Sequence, residues 1–139
     1  MDTILDVRAM KILIIDDHAA FREEVQRILL KNGHEVTGVD NAAGAVPLVE
    51  SGVFQLVLLD YNLPGLDGLW LLRTARIPRQ TKVLLVTAHT HPTLIQTMFR
   101  AGVAGYLLKP FDEDDLLRHL EFHFHDRARP SSVTEPGLR

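Results

Sequence analysis

Short apolar runs alternate with stretches whose apolar residues recur every three or four positions, and this alternation covers most of the chain. Lys11–Ile15 is nearly all apolar, as a strand buried on both faces requires. From Ala20 to Lys31 the period becomes helical: Phe21, Val25, Ile28 and Leu29 form one stripe, with Arg22, Glu23, Gln26 and Arg27 opposite. Asn32-Gly33 stops that helix. Glu35–Val39 reads as a second strand, and Asn41 caps a helix to about Ser51 that Gly44 and Pro47 weaken. Gly52 precedes a third strand, Phe54–Leu59, followed by a loop dense in turn formers, Asn62 to Gly68. A helix from about Leu69 to Arg76 and a strand Lys82–Val86 ending at Thr87 come next. Pro92 suits the first turn of a helix to about Ala101, which Gly102 ends. Tyr106–Leu108 is a fifth strand, and Asp112 caps a last helix with Glu113, Asp114 and Asp115 in its first turn.

Strands alternating with helices predict a parallel sheet with right-handed crossovers and helices on both faces. Ligands bind such sheets beyond the carboxyl ends of the strands. Asp16 and Asp17 close the first strand, Asp60 the third, Thr87 the fourth and Lys109 the fifth. Three carboxylates at one edge repel unless a cation sits among them, so an acidic, metal-dependent site is expected there. Taken singly, each residue has a plainer reading: Asp16 as a helix cap, Asp17 as a first-turn charge, the Asp60 loop as turn chemistry, Thr87 as a strand end, Lys109 as a surface lysine. Those readings fail jointly, because independent accidents do not place all five on one edge.

Composition narrows the class. The 139 residues suit one domain, and 46% are hydrophobic, enough for a core. A net charge of −3 without blocks of like charge argues against direct nucleic-acid binding by this domain. There are no cysteines, no basic-then-apolar leader pattern and no apolar run of membrane-spanning length, so a soluble cytoplasmic protein is expected. Residues 1–9 read as an N-terminal extension without structure, 10–125 as the domain, and 126–139, rich in Pro, Ser and Arg, as a disordered tail or linker stub. The fifteen residues after Phe124 are too few for an output module, which leaves a stand-alone unit or a fragment of a longer regulator.

Four blocks carry a resemblance: Ile14-Ile15-Asp16-Asp17; Leu58-Leu59-Asp60 with Asn62-Leu63-Pro64-Gly65-Leu66-Asp67-Gly68; Val86-Thr87-Ala88; and Leu108-Lys109-Pro110-Phe111. In this order and spacing they resemble the receiver domain of bacterial two-component response regulators, over about residues 10–125. The resemblance implies a flavodoxin-like doubly wound sheet of five parallel strands, in the order 2-1-3-4-5, with five helices. It implies that Asp60 accepts a phosphoryl group from a sensor histidine kinase or histidine phosphotransfer protein. Mg²⁺ would be bound by Asp17 and Asp60, by Asp16 through a water, and by the Asn62 backbone carbonyl. Thr87 would bond the phosphoryl group, Lys109 would pair with it, and Tyr106 would turn inward as an aromatic switch. Asn62 and His89 would tune the lifetime of the modified state, and a cis bond before Pro110 would aim Lys109. Such a protein is a regulator that catalyses only its own phosphorylation and dephosphorylation.

The residues alone support the same chemistry. A carboxylate attacks phosphorus only if both negative charges are offset, which one Mg²⁺ and one lysine can do. The output is expected on the fourth helix, fifth strand and fifth helix, as a site for a downstream partner, an output domain or a homodimer. Leu116, Leu117, Leu120 and Phe124 form the core stripe of the last helix, and Phe122 is either exposed for a partner or packed on the fourth helix. His119 and His123, four apart, read as a solvated face before a metal site, and Trp70 as half-buried packing. A haloacid-dehalogenase-type phosphatase also uses a strand-end Asp with Mg²⁺, but needs a second Asp where Asn62 stands. An FMN carrier needs a hydroxyl-rich loop where Asp16-Asp17-His18 would repel phosphate. A receiver that serves as a scaffold without phosphorylation is the remaining alternative.

Overall fold

A computed structural model describes residues 7–125. The elements run β1 (Lys11–Ile15), α1 (Ala19–Lys31), β2 (Glu35–Val39), α2 (Ala42–Glu50), β3 (Leu56–Leu59), α3 (Gly68–Thr74), β4 (Lys82–Thr87), α4 (Pro92–Arg100), β5 (Gly105–Leu108) and α5 (Glu113–Phe124). All strand pairs are parallel, in the order β2-β1-β3-β4-β5. This is the doubly wound, flavodoxin-like arrangement expected from the sequence.

Side chains alternate across each strand, so the three central strands feed two cores. Leu13, Ile15, Val57, Leu59, Val83 and Leu85 pack with Ala45 and Val49 of α2, Leu71 and Leu72 of α3 and Met98 of α4. Ile12, Ile14, Leu56, Leu58, Leu84 and Val86 pack on the other face with Val25, Ile28 and Leu29 of α1 and Leu116 and Leu120 of α5. Burial on both faces explains why these strands read as unbroken apolar runs.

Several boundaries moved for physical reasons. The β3 ladder begins at Leu56, two residues later than expected; Phe54 is buried but its carbonyl accepts the Thr81 hydroxyl at 2.9 Å. Pro47 is inside α2 without ending it, and the Asn41 side chain caps that helix by accepting Gly44 N–H at 2.6 Å. α3 stops at Thr74, two residues short of the expected end. Asp16 is not the cap of α1: His18 holds that position, with no side-chain cap bond. Phe122 is 81% exposed, so it does not pack on α4. Of residues 1–9, expected to lack structure, Val7 forms an antiparallel bridge with His125. Residues 1–6 and the expected tail at 126–139 lie outside the described residues.

His34, buried at the start of β2, accepts the Met10 N–H on Nδ1 at 3.0 Å. Burial holds its pKa below the ordinary 6.5. The folded state therefore keeps His34 neutral, while the unfolded chain takes up a proton below about that pH. Its contribution is present above pH 6.5 and is lost as pH falls through the depressed folded value. Urea midpoints are expected to fall between pH 7.5 and 5.5. The fall should be shallower in His34→Asn, whose amide oxygen can accept from Met10 without titrating.

Candidate functional site

The last rungs of the ladder position the site. Asp16 N–H bonds Val39 O at 3.0 Å, Asp60 N–H bonds Ile15 O at 3.0 Å, and Lys109 N–H bonds Thr87 O at 2.9 Å. Each residue stands one position past its strand, with its backbone still tied to the neighbouring strand. Their side chains converge. Lys109 Nζ lies 2.7 Å from Asp16 Oδ2 and 3.4 Å from Asp60 Oδ2, and all three groups are largely buried. The ammonium also sits 4.1 Å from the Phe21 ring centroid, and Phe21 meets Phe111 edge-on. The Lys109–Pro110 bond is cis.

Asp17 is more exposed and joins through the cluster: Asp16, Asp17, His18 and Asp60 each offer a ligand atom within 4.8 Å of the others. His18 Nδ1 lies 3.1 Å from Asp16 Oδ1 and 3.2 Å from Asp17 Oδ1. Asn62 is exposed, and its backbone N–H donates to Asp60 Oδ1 at 3.3 Å. Thr87 is fully buried, with its hydroxyl oxygen accepting His89 N–H at 3.3 Å. The His89 ring meets Tyr61 edge-on, and its buried Nε2 has no partner among the described residues. Tyr106 lies in β5 opposite Leu85, half-buried against the core shared with α2, α3 and α4, and outside the carboxylate cluster.

Burial pushes the Asp60 carboxyl above its ordinary value; Lys109 opposes this, and the Asp16 charge reinforces it. One lysine facing two buried carboxylates leaves an excess of negative charge. Hard oxygen donors, crowded and under-neutralised, fit a divalent ion such as Mg²⁺.

Three neighbours of the site escaped the sequence reading. Phe21 was assigned to the core stripe of α1, but its ring carries the lysine. His18 was read only as part of the acidic turn. At Gly68 a Cβ would lie 2.8 Å from the Asp60 carbonyl and 3.1 Å from Tyr61 Cα, both backbone atoms. Gly68 belongs to the motif block that follows Asp60, and this close approach is what requires a glycine there.

Residues 12–121 match the family model described as the response regulator receiver domain. The chain belongs to that family. Receivers are phosphorylation-dependent signalling modules of two-component systems, regulators rather than metabolic enzymes, and bind Mg²⁺ at an acidic pocket. The chain is 37% identical to the chemotaxis protein CheY of Pseudomonas aeruginosa over 116 residues, 81% of this chain and 94% of that protein. It is 42% identical to the response regulator protein FleR of the same species over 112 residues, 78% of this chain but only 23% of FleR. A CheY-like receiver from Methanospirillum hungatei superposes with a TM-score of 0.77 at 30% identity, covering 84% of this chain and 94% of its own. The receiver domain of a Pseudomonas aeruginosa PAO1 sensor histidine kinase, solved with magnesium coordinated in its active-site cleft, has a TM-score of 0.73 at 27% identity, covering 83% and 97%. These relatives give no support to a dehalogenase-type phosphatase. No helix among the described residues is long and apolar enough to cross a membrane.

Two outcomes follow from this geometry. Gly68→Ala should cost about 1–3 kcal/mol by forcing backbone apart beside Asp60, measured by urea unfolding. In chelator, Asp60→Asn should raise the urea midpoint above that of the parent, because it removes a charge that burial disfavours while Lys109 keeps Asp16.

Proposed function

We propose that Asp60 is the phosphoacceptor of this receiver, with a histidine kinase or histidine phosphotransfer protein as donor. The observation that carries this reading is the Lys109 ammonium held between the buried carboxylates of Asp16 and Asp60 at the carboxyl edge of the sheet. In the transfer, the phosphorus–nitrogen bond of a phosphohistidine breaks, a phosphorus–oxygen bond to Asp60 forms, and the departing imidazole takes up a proton. Asp17, Asp60, Asp16 through a water and the Asn62 carbonyl would hold Mg²⁺, which would supply charge neutralisation. Lys109, held between Asp16 and Asp60, shares that task and stays with the new group afterwards.

The acyl phosphate carries roughly −1.5 to −2 charges, by analogy with other phosphorylated side chains. Thr87 and Lys109 follow that charge, the β4–α4 loop moves with Thr87, and Tyr106 turns into the space released. This is a two-state shift driven by contacts made only with the phosphoryl group. Asn62 and His89 flank the route by which water reaches the phosphorus and set the lifetime. The surface that changes is α4, β5 and α5, where Phe99, Leu108 and Phe122 are exposed apolar groups for a downstream partner, an output domain or a second copy. The setting is cytoplasmic, since a kinase and its phosphodonor chemistry are found there.

The full chain, incubated with Mg²⁺ and acetyl phosphate, is expected to gain one acid-labile, base-labile phosphoryl adduct on Asp60. Asp60→Asn and excess chelator should each abolish it, and Thr87→Ala should keep labelling but lose the change at α4 and β5, followed by amide chemical shifts. Labelling of Asp60→Asn at the parent level defeats the assignment.

A further inference from the structure

We propose that His18 is an additional, nitrogen ligand of the metal site, which gives this receiver a stronger preference for first-row transition ions over Mg²⁺ than an all-oxygen pocket has, with Mn²⁺ as the paramagnetic ion that reports it. The inference rests on the reading of the acidic cluster as a divalent-ion site and names a residue that the reading leaves idle.

Geometry supports it first. In an octahedral shell with bonds of about 2.1 Å, neighbouring donors lie about 3.0 Å apart. His18 Nδ1 is 3.2 Å from Asp17 Oδ1, the spacing of neighbouring donors, and 3.1 Å from Asp16 Oδ1, the carboxylate that reaches the ion through a water. Asp60 completes the group within 4.8 Å.

The ring's contacts are with the acidic cluster itself. His18 is the N-cap residue of α1, but its side chain makes no cap bond. Its backbone is held from both sides: its N–H donates to Asp16 Oδ1 at 2.9 Å and its carbonyl accepts Arg22 N–H at 3.0 Å. Arg22 Nη1 donates to the Asp16 carbonyl at 2.8 Å, which fixes the same turn. The imidazole therefore projects from an anchored backbone. Ligation needs only a change of partner, from the two carboxylates to the ion beside them. Imidazole favours transition ions, whereas Mg²⁺ prefers oxygen and water.

The test uses the full chain, Mn²⁺ and Mg²⁺. Mn²⁺ affinity is measured by electron paramagnetic resonance, Mg²⁺ affinity by competition, and the Mn²⁺-loaded protein is examined for ¹⁴N modulation of the spin echo. The expected result is ¹⁴N coupling in the parent and none in His18→Ala or His18→Gln. The preference for Mn²⁺ over Mg²⁺ should drop about tenfold in both variants. Neither variant loses a cap bond, and circular dichroism checks that each is folded. Tight Mn²⁺ binding without ¹⁴N coupling, or an unchanged preference in both variants, overturns the role of His18 and leaves the acidic site standing. Absence of any Mn²⁺ binding that Mg²⁺ can displace overturns both.

Discussion

Too much negative charge at one edge of a parallel sheet is the constraint on which the molecule turns. Asp16 and Asp60 are buried, and Lys109 reaches both, yet one ammonium cannot balance two carboxylates and a third at Asp17. Burial is the main cause of the raised Asp60 pKa; Lys109 opposes it and the Asp16 charge adds to it. A site built this way is tense without a counter-ion and receptive to one. The same imbalance makes arrival of a phosphoryl group a large local event, because further negative charge enters a pocket with a single lysine to meet it.

The sheet supplies the precision. Central strands covered on both faces hold their ends rigidly, and the final hydrogen bonds of the ladder reach past the strands to the backbones of Asp16, Asp60 and Lys109. Behind them, Phe21 gives the lysine a flat π surface, and Gly68 lets the β3–α3 turn close against the Asp60 carbonyl. Neither residue would touch the phosphorus. Both decide where the groups that do would stand.

The fold was legible because period changes along the chain are strong physical signals: runs such as Leu56–Leu59 belong only in a doubly covered sheet, and their polar terminators mark its active edge. Boundaries were less legible where tertiary context decides. The ladder leaves out Phe54, whose side chain is as apolar as its neighbours, because its carbonyl is taken by Thr81. At the site, carboxylates and lysine could be read from their strand-end positions. His18 and Phe21 could not, because their roles depend on distances across a turn and between α1 and the β5–α5 loop.

The bridge between Val7 and His125 has a practical reach of its own. Paired residues of antiparallel chains stand about 5 Å apart, so the folded unit is entered and left at nearly one point. A module with that plan can be spliced into a larger polypeptide, or carried at either end of one, without prising its host open. The matched region makes up nearly all of CheY and under a quarter of FleR.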